Sequence, residues 1–149
     1  MVLRMAAGHR TGENIDDLQQ WLRELANCPQ VNKTVVASCR NDRHVDDPAT
    51  WFYVEADPRN AIARRRCLSC GDAHHVLDSA DHWTAPRMWG CQSCGQSIAE
   101  VAAGVHLEGD NDDVTWVVLG ARCVDCGTLS GLTDFSITPR TFDAIADSL

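Results

Sequence analysis

Three copies of one local device constrain this chain more than anything else in it: Cys67-Leu-Ser-Cys70-Gly71, Cys91-Gln-Ser-Cys94-Gly95 and Cys123-Val-Asp-Cys126-Gly127. Two cysteines three apart on a tight turn can put both sulfurs on one metal ion, and two such turns complete a tetrahedron. The glycine that follows lets the chain curl through positive φ, so that backbone N–H groups face the sulfurs. One such pair is a weak sign; three, each followed by glycine, are a strong one. The plain alternative is thiols packed as small apolar side chains, and the regularity of the three units argues against it. The intervals between them are unequal, which excludes a solenoid period.

The compartment matters to thiol chemistry. Met1 to Arg10 holds only a short apolar patch, with Arg4 inside it, and no run is long enough to span a membrane. The expectation is a cytoplasmic protein, whose cysteines stay reduced and serve as metal ligands rather than disulfides. The formal net charge is −8. Residues 1–66 carry ten Arg or Lys and nine acids, whereas residues 67–149 carry three Arg and twelve acids, a net of −9. Four thiolates around a dication would add to that excess. Nucleic-acid affinity comes largely from cations that neutralise phosphate, so duplex DNA is not an expected partner.

Periodicity gives a coarse map. Asn14 can cap a helix running to about Asn27, with Ile15, Leu18, Leu22 and Leu25 on one face and Pro29 beyond its end. The first dozen residues read as a loose lead-in. Val31 to Cys39 and Trp51 to Glu55 read as strands, the second of them buried, with a polar loop over 40–47 between. Val101 to Leu107 and Val114 to Val118 alternate around an acidic turn and predict a β-hairpin. Thr138 and Pro139 suit the start of a terminal helix, with Phe142, Ile145 and Leu149 on one face.

Each Cys-x-x-Cys-Gly unit resembles the knuckle of the zinc-ribbon and rubredoxin-like groups, and residues 67–95 together resemble a ribbon: knuckle, strand (74–78), turn, strand (83–90), knuckle. The resemblance covers a third to a half of the chain and implies a small antiparallel sheet pinned by at least one zinc per chain. The expected ligands are Cys67, Cys70, Cys91, Cys94, Cys123 and Cys126. Their pairing stays open. Twenty residues separate Cys70 from Cys91 and twenty-eight separate Cys94 from Cys123, and the usual spacing favours the first combination. The third knuckle is then completed by His74, His75, His82 or His106, meets its twin across a homodimer, or stays metal-free. Cys28 and Cys39 lack knuckle spacing and read as buried thiols.

The expected fold class is α+β. A short α/β segment (residues 1–60) packs on a three-knuckle antiparallel β region (residues 61–149) that ends in a short helix. Five tryptophans read as core fillers; an exposed Trp83 or Trp89 would mark a partner surface. Arg64, Arg65 and Arg66 form the main basic patch, a candidate contact for a partner or an internal counter-charge to the acidic half. No catalytic triad, phosphate loop or His-Glu-x-x-His is present. All-thiolate sites leave no open coordination position, which argues against an enzyme. The expected function is a non-enzymatic adaptor or regulatory protein that binds another protein, with transcription or translation the setting the resemblance implies. The alternatives are an RNA- or ribosome-contacting factor using Arg64–Arg66 and a Cys-x-x-Cys thiol redox protein.

Overall fold

A computed structural model describes residues 3–6, 9–26, 28–44, 48–110 and 112–149. At its centre the two alternating runs form the expected hairpin, here longer than the runs themselves. In chain order the elements are β1 (Leu3–Ala6), β2 (His9–Gly12), α1 (Ile15–Arg23), β3 (Lys33–Val36), β4 (Phe52–Asp57), β5 (Ile62–Cys67), β6 (Ala73–His75), β7 (Ile98–Glu108), β8 (Asp113–Cys123), β9 (Leu129–Arg140) and α2 (Phe142–Ser148). Single 3-10 turns lie at Asp42–His44 and Ser79–His82. β1 and β2 pair with each other. The other strands form one antiparallel sheet in the order β6-β5-β4-β7-β8-β9, with β3 paired to β7 on the edge that β4 also uses.

The central hairpin is buried on both faces, and alternation along it separates two cores. Val101, Ala103, Val105, Val117, Leu119 and Ala121 join Phe52, Val54, Phe135, Ile145 and Leu149 in the larger core. β9 lies close to β4 and β5, so the sheet coils around this core, and Ile145 of α2 closes it, fully buried. The opposite parity, Ala102, Trp116 and Val118, meets Leu18 and Leu22 of α1. Both leucines are inaccessible to solvent, each stabilising the fold by about 1.5–3 kcal/mol through burial. The helix sits this low because residue 120 is glycine: a Cβ there would lie 2.9 Å from Leu22 Cδ2. Asn14 caps α1, its Oδ1 accepting from the Asp17 N–H at 3.2 Å, and the Asp17 carboxylate accepts from the Glu13 N–H at 2.7 Å.

Several expectations are corrected. α1 stops at Arg23, with Glu24 as its C-cap, short of the expected end; Asn27 lies outside the described residues. Residues 45–47 of the polar loop and Asn111 of the acidic turn lie outside them too. The lead-in contains a hairpin that bridges onto Thr128. β9 runs through Thr138 and Pro139, and α2 starts after Thr141, whose hydroxyl accepts from the Ala144 N–H. Proline is tolerated there because β9 ends the strand order and has a ladder on one side alone. The segment 83–90 is not a strand beyond a single bridge between Met88 and Glu55. Trp51 is exposed, since it precedes β4 with parity opposite to the buried Phe52.

Candidate metal centres

The three knuckles share one backbone pattern. The first cysteine donates its N–H to the carbonyl five residues on (Cys67 to Asp72, Cys91 to Gln96, Cys123 to Thr128), and the glycine N–H returns to the first cysteine's carbonyl, all at 2.8–2.9 Å. Gly71, Gly95 and Gly127 adopt φ of +76°, +79° and +80°, the left-handed curl expected from the motif. In each knuckle two N–H groups donate to the first cysteine's sulfur: those of Ser69 and Cys70, of Ser93 and Cys94, and of Asp125 and Cys126.

These knuckles assemble into two clusters, each with four donor atoms within 4.8 Å of one another: Cys91, Cys94, Cys123 and Cys126; and Cys39, His44, Cys67 and Cys70. The hairpin explains the first. One knuckle enters β7, the other ends β8, and Ala99 pairs with Cys123 across the ladder. The favoured combination of Cys67/Cys70 with Cys91/Cys94 is therefore corrected: β4 lies between β5 and β7 and holds those knuckles apart. The second cluster is completed from upstream, by Cys39 after β3 and by His44 in a 3-10 turn. His74, His75, His82 and His106 join neither cluster. His74 bonds the Ser148 carbonyl, His75 packs edge-on against Trp83, and His106 bonds the Gln30 carbonyl.

The separations fit a tetrahedral ion. Sulfurs at about 2.3 Å from a metal stand about 3.8 Å apart along a tetrahedral edge, and a sulfur and an imidazole nitrogen about 3.6 Å apart. The observed Sγ–Sγ distances are 3.5 Å (Cys91–Cys126), 3.6 Å (Cys94–Cys123) and 3.7 Å (Cys39–Cys70), and His44 Nε2 lies 3.6 Å from Cys67 Sγ. These are far beyond a disulfide bond and match shared ligation.

Electrostatics point the same way. Burial pushes the Cys123 thiol up to about 12 and Cys39 up to about 11. Burial also opposes the Cys91 thiolate, but the N–H groups of Cys94 and Ser93 outweigh it and hold that thiol down to about 6. Protein donors alone thus favour the Cys91 thiolate and disfavour those of Cys94 and Cys123, and a dication would let the cluster ionise. Thr128, itself buried, supports the four-cysteine cluster: its hydroxyl lies 3.1 Å from Cys126 Sγ and 2.9 Å from Ser93 Oγ. Beside the other cluster, Arg65 is 3 % exposed, with its guanidinium over the Phe52 ring and its Nε donating to the Leu149 carbonyl. It shares the inward face of β5 with Cys67, where a cation would offset the thiolates of a metal-filled cluster.

The basic triplet is divided among different tasks. Arg64 grips the Glu55 carboxylate at 2.8–2.9 Å and stacks on Trp83. Arg65 is buried and is not presented to a partner. Arg66 is exposed and bonds the Gly71 carbonyl. Cys28 stands apart, packed against the α1 core. Cys39 and His44 are the residues the sequence reading missed. Their signal was a thiol at the end of an expected strand and an imidazole five residues on in a polar loop, legible only once β3 is known to end beside the first knuckle.

A cross-strand row joins the two centres. Cys67 pairs with Phe52, Phe52 with Ala99, and Ala99 with Cys123. All four are buried on the inward face, and three inter-strand steps separate the end cysteines by about 14 Å. Fold and donor sets together define a coiled antiparallel β protein with two thiol-rich clusters compatible with metal-binding knuckles. No family model, curated protein or solved structure matches the chain. Among the described residues, no helix is long and apolar enough to cross a membrane.

Proposed function

We propose that this protein is a non-enzymatic scaffold, pinned by a three-cysteine, one-histidine zinc and a four-cysteine zinc, that works by binding another protein. The carrying observation is that each cluster supplies four protein donors within tetrahedral reach. A catalytic zinc keeps one position for water or substrate; a site closed by protein serves folding. Thiolate-rich tetrahedra select zinc over the hard cations. The span 91–128, knuckle, hairpin and knuckle, is the part that most resembles a zinc ribbon.

Charge supports a protein partner over nucleic acid. The chain carries −8 before any metal is counted, and two filled sites add about three further negative charges, seven thiolates against two dications.

Native mass spectrometry with and without a strong chelator tests the scaffold. Two zinc ions per chain are expected, and their removal should unfold much of the sheet, because metal-binding energy is here folding energy. A purified protein that is fully folded and metal-free would end this reading.

A further inference from the structure

The two centres hold their sulfurs at different depths. In the four-cysteine cluster Cys91 and Cys123 are buried, whereas Cys94 and Cys126, the second cysteine of each knuckle, are exposed. Residues 92–96 around Cys94 are exposed throughout. In the other cluster Cys39 and Cys67 are buried and Cys70 is half-buried, so no sulfur there is exposed. A thiolate is the form of cysteine that oxidants attack, and access decides which thiolate meets a dissolved oxidant first.

The donors also pair differently. Each exposed sulfur of the four-cysteine cluster faces a buried sulfur of the opposite knuckle: Cys126 lies 3.5 Å from Cys91, and Cys94 lies 3.6 Å from Cys123. Closing either pair to a disulfide at about 2.05 Å takes a movement of about 1.5 Å, and it joins the same two knuckles that a shared ion joins. In the other cluster Cys39 and Cys70 form such a pair at 3.7 Å, but Cys67 faces His44. His44 lines the cavity of about 370 Å³ beside that cluster, and an imidazole forms no disulfide.

We propose that the four-cysteine centre is an oxidation site, where hydrogen peroxide links an exposed cysteine to its buried partner in the other knuckle and frees the metal, while the Cys39/His44/Cys67/Cys70 centre keeps its ion. An exposed thiolate, Cys94 or Cys126, attacks one peroxide oxygen; the O–O bond breaks, hydroxide leaves and a sulfenic acid forms. The buried thiolate, Cys123 or Cys91, then attacks the sulfenic sulfur; the S–S bond forms, the S–O bond breaks and a second hydroxide leaves. The two sulfurs lose two electrons, peroxide gains them, and solvent protons convert both hydroxides to water. Two of the four donors are then spent, and the remaining two do not complete a tetrahedron. The proposal rests on the zinc-scaffold reading, since the filled site is what is oxidised.

The test adds hydrogen peroxide to the zinc-loaded full chain, reads released zinc with a chromophoric chelator and identifies oxidised cysteines by differential alkylation and fragment-ion mass spectrometry. One ion should leave faster than the other by about tenfold or more. Its release should accompany a Cys91–Cys126 or Cys94–Cys123 disulfide while Cys39, Cys67 and Cys70 stay reduced. A thiol reductant with added zinc should restore the count. The double variant Cys94→His/Cys126→His keeps four donors and removes both exposed sulfurs; it should hold two zinc ions and lose the fast release. If that variant binds no zinc at this centre, the wild-type disulfide map decides alone. Equal release from both centres overturns the proposal, as do no release at all, a Cys39–Cys70 disulfide formed first, disulfides within single knuckles, or fast release that persists in the double variant. With two zinc ions counted before peroxide is added, any of these outcomes removes the oxidation site and leaves the scaffold standing. A folded protein with no zinc to release overturns both.

Discussion

Gly12 and Gly127 meet backbone to backbone: the Gly12 N–H donates to the Gly127 carbonyl at 2.8 Å, and a Cβ on Gly127 would lie 2.6 Å from the Gly12 carbonyl oxygen. The third knuckle is thus braced by the N-terminal hairpin. Arg122 strengthens the contact, donating to the Gly12 and Glu13 carbonyls at 2.8 Å while its Nη1 pairs with Glu100 at 2.7 Å.

The three knuckle glycines should therefore differ on substitution. Gly71→Ala and Gly95→Ala meet open space and should cost about 1–2 kcal/mol, the penalty of the left-handed backbone. Gly127→Ala carries that penalty and displaces the brace, for a total of about 2–5 kcal/mol. Denaturant unfolding of the zinc-loaded proteins measures the three; equal losses would show that the brace contributes nothing.

Metal counting should separate the two centres. Cys39→Ser and Cys123→Ser should each reduce the zinc content by one ion, from different clusters, while Cys28→Ser keeps both. Native mass spectra of the three variants check this. A Cys39→Ser protein with undiminished zinc would remove Cys39 from the ligand set.

Arg65 should matter to one centre only. Arg65→Met leaves three thiolates without their buried counter-charge and should weaken zinc at the Cys39/His44/Cys67/Cys70 site by about tenfold or more, with Arg65→Lys intermediate. Competition with a chromophoric chelator reads both sites. Loss of affinity at both would mean a general weakening of the fold.

Acidification should release metal with a change of slope. The folded Cys91 thiol is depressed to about 6 from 9.0, so the stability it contributes is present above its unfolded value and is lost as pH falls through about 6. Above that point zinc displaces protons from the raised thiols of Cys94 and Cys123; below it Cys91 must be deprotonated as well. The log of apparent affinity against pH should steepen by one proton below about 6. A constant slope through this range would contradict the ordering of the thiols.

Leu22→Ala should cost about 2–5 kcal/mol, as a buried leucine packed against Gly120 and Trp116 leaves a cavity. It should leave the zinc count unchanged, because α1 lies on the face of the sheet away from both clusters. Thermal unfolding and metal analysis of one sample test both halves of the expectation.

Local chemistry alone determined the knuckles, the hairpin and the cap of α1. A Cys-x-x-Cys-Gly turn, a run of alternating valines and an Asn before an amphipathic stretch each carry their signal within a few residues, through backbone sterics and side-chain parity. The common face of Phe142, Ile145 and Leu149, which packs on the larger core, was legible for the same reason. Which knuckle meets which was decided by strand order. Inserting β4 between β5 and β7 separates Cys67 from Cys91, and that pairing depends on how the whole sheet minimises exposed edges and fills one core. The predicted hairpin already implied that knuckles at its open ends, Cys91/Cys94 and Cys123/Cys126, would meet; loop spacing alone favoured the other pairing. Cys39 and His44 became candidate ligands only in three dimensions, since a polar loop after a strand has no periodicity to announce where it folds back. The exposure of Trp51 was hidden in the same way. Parity assigns it to the face opposite Phe52, but only the assembled fold shows how far this residue stays exposed.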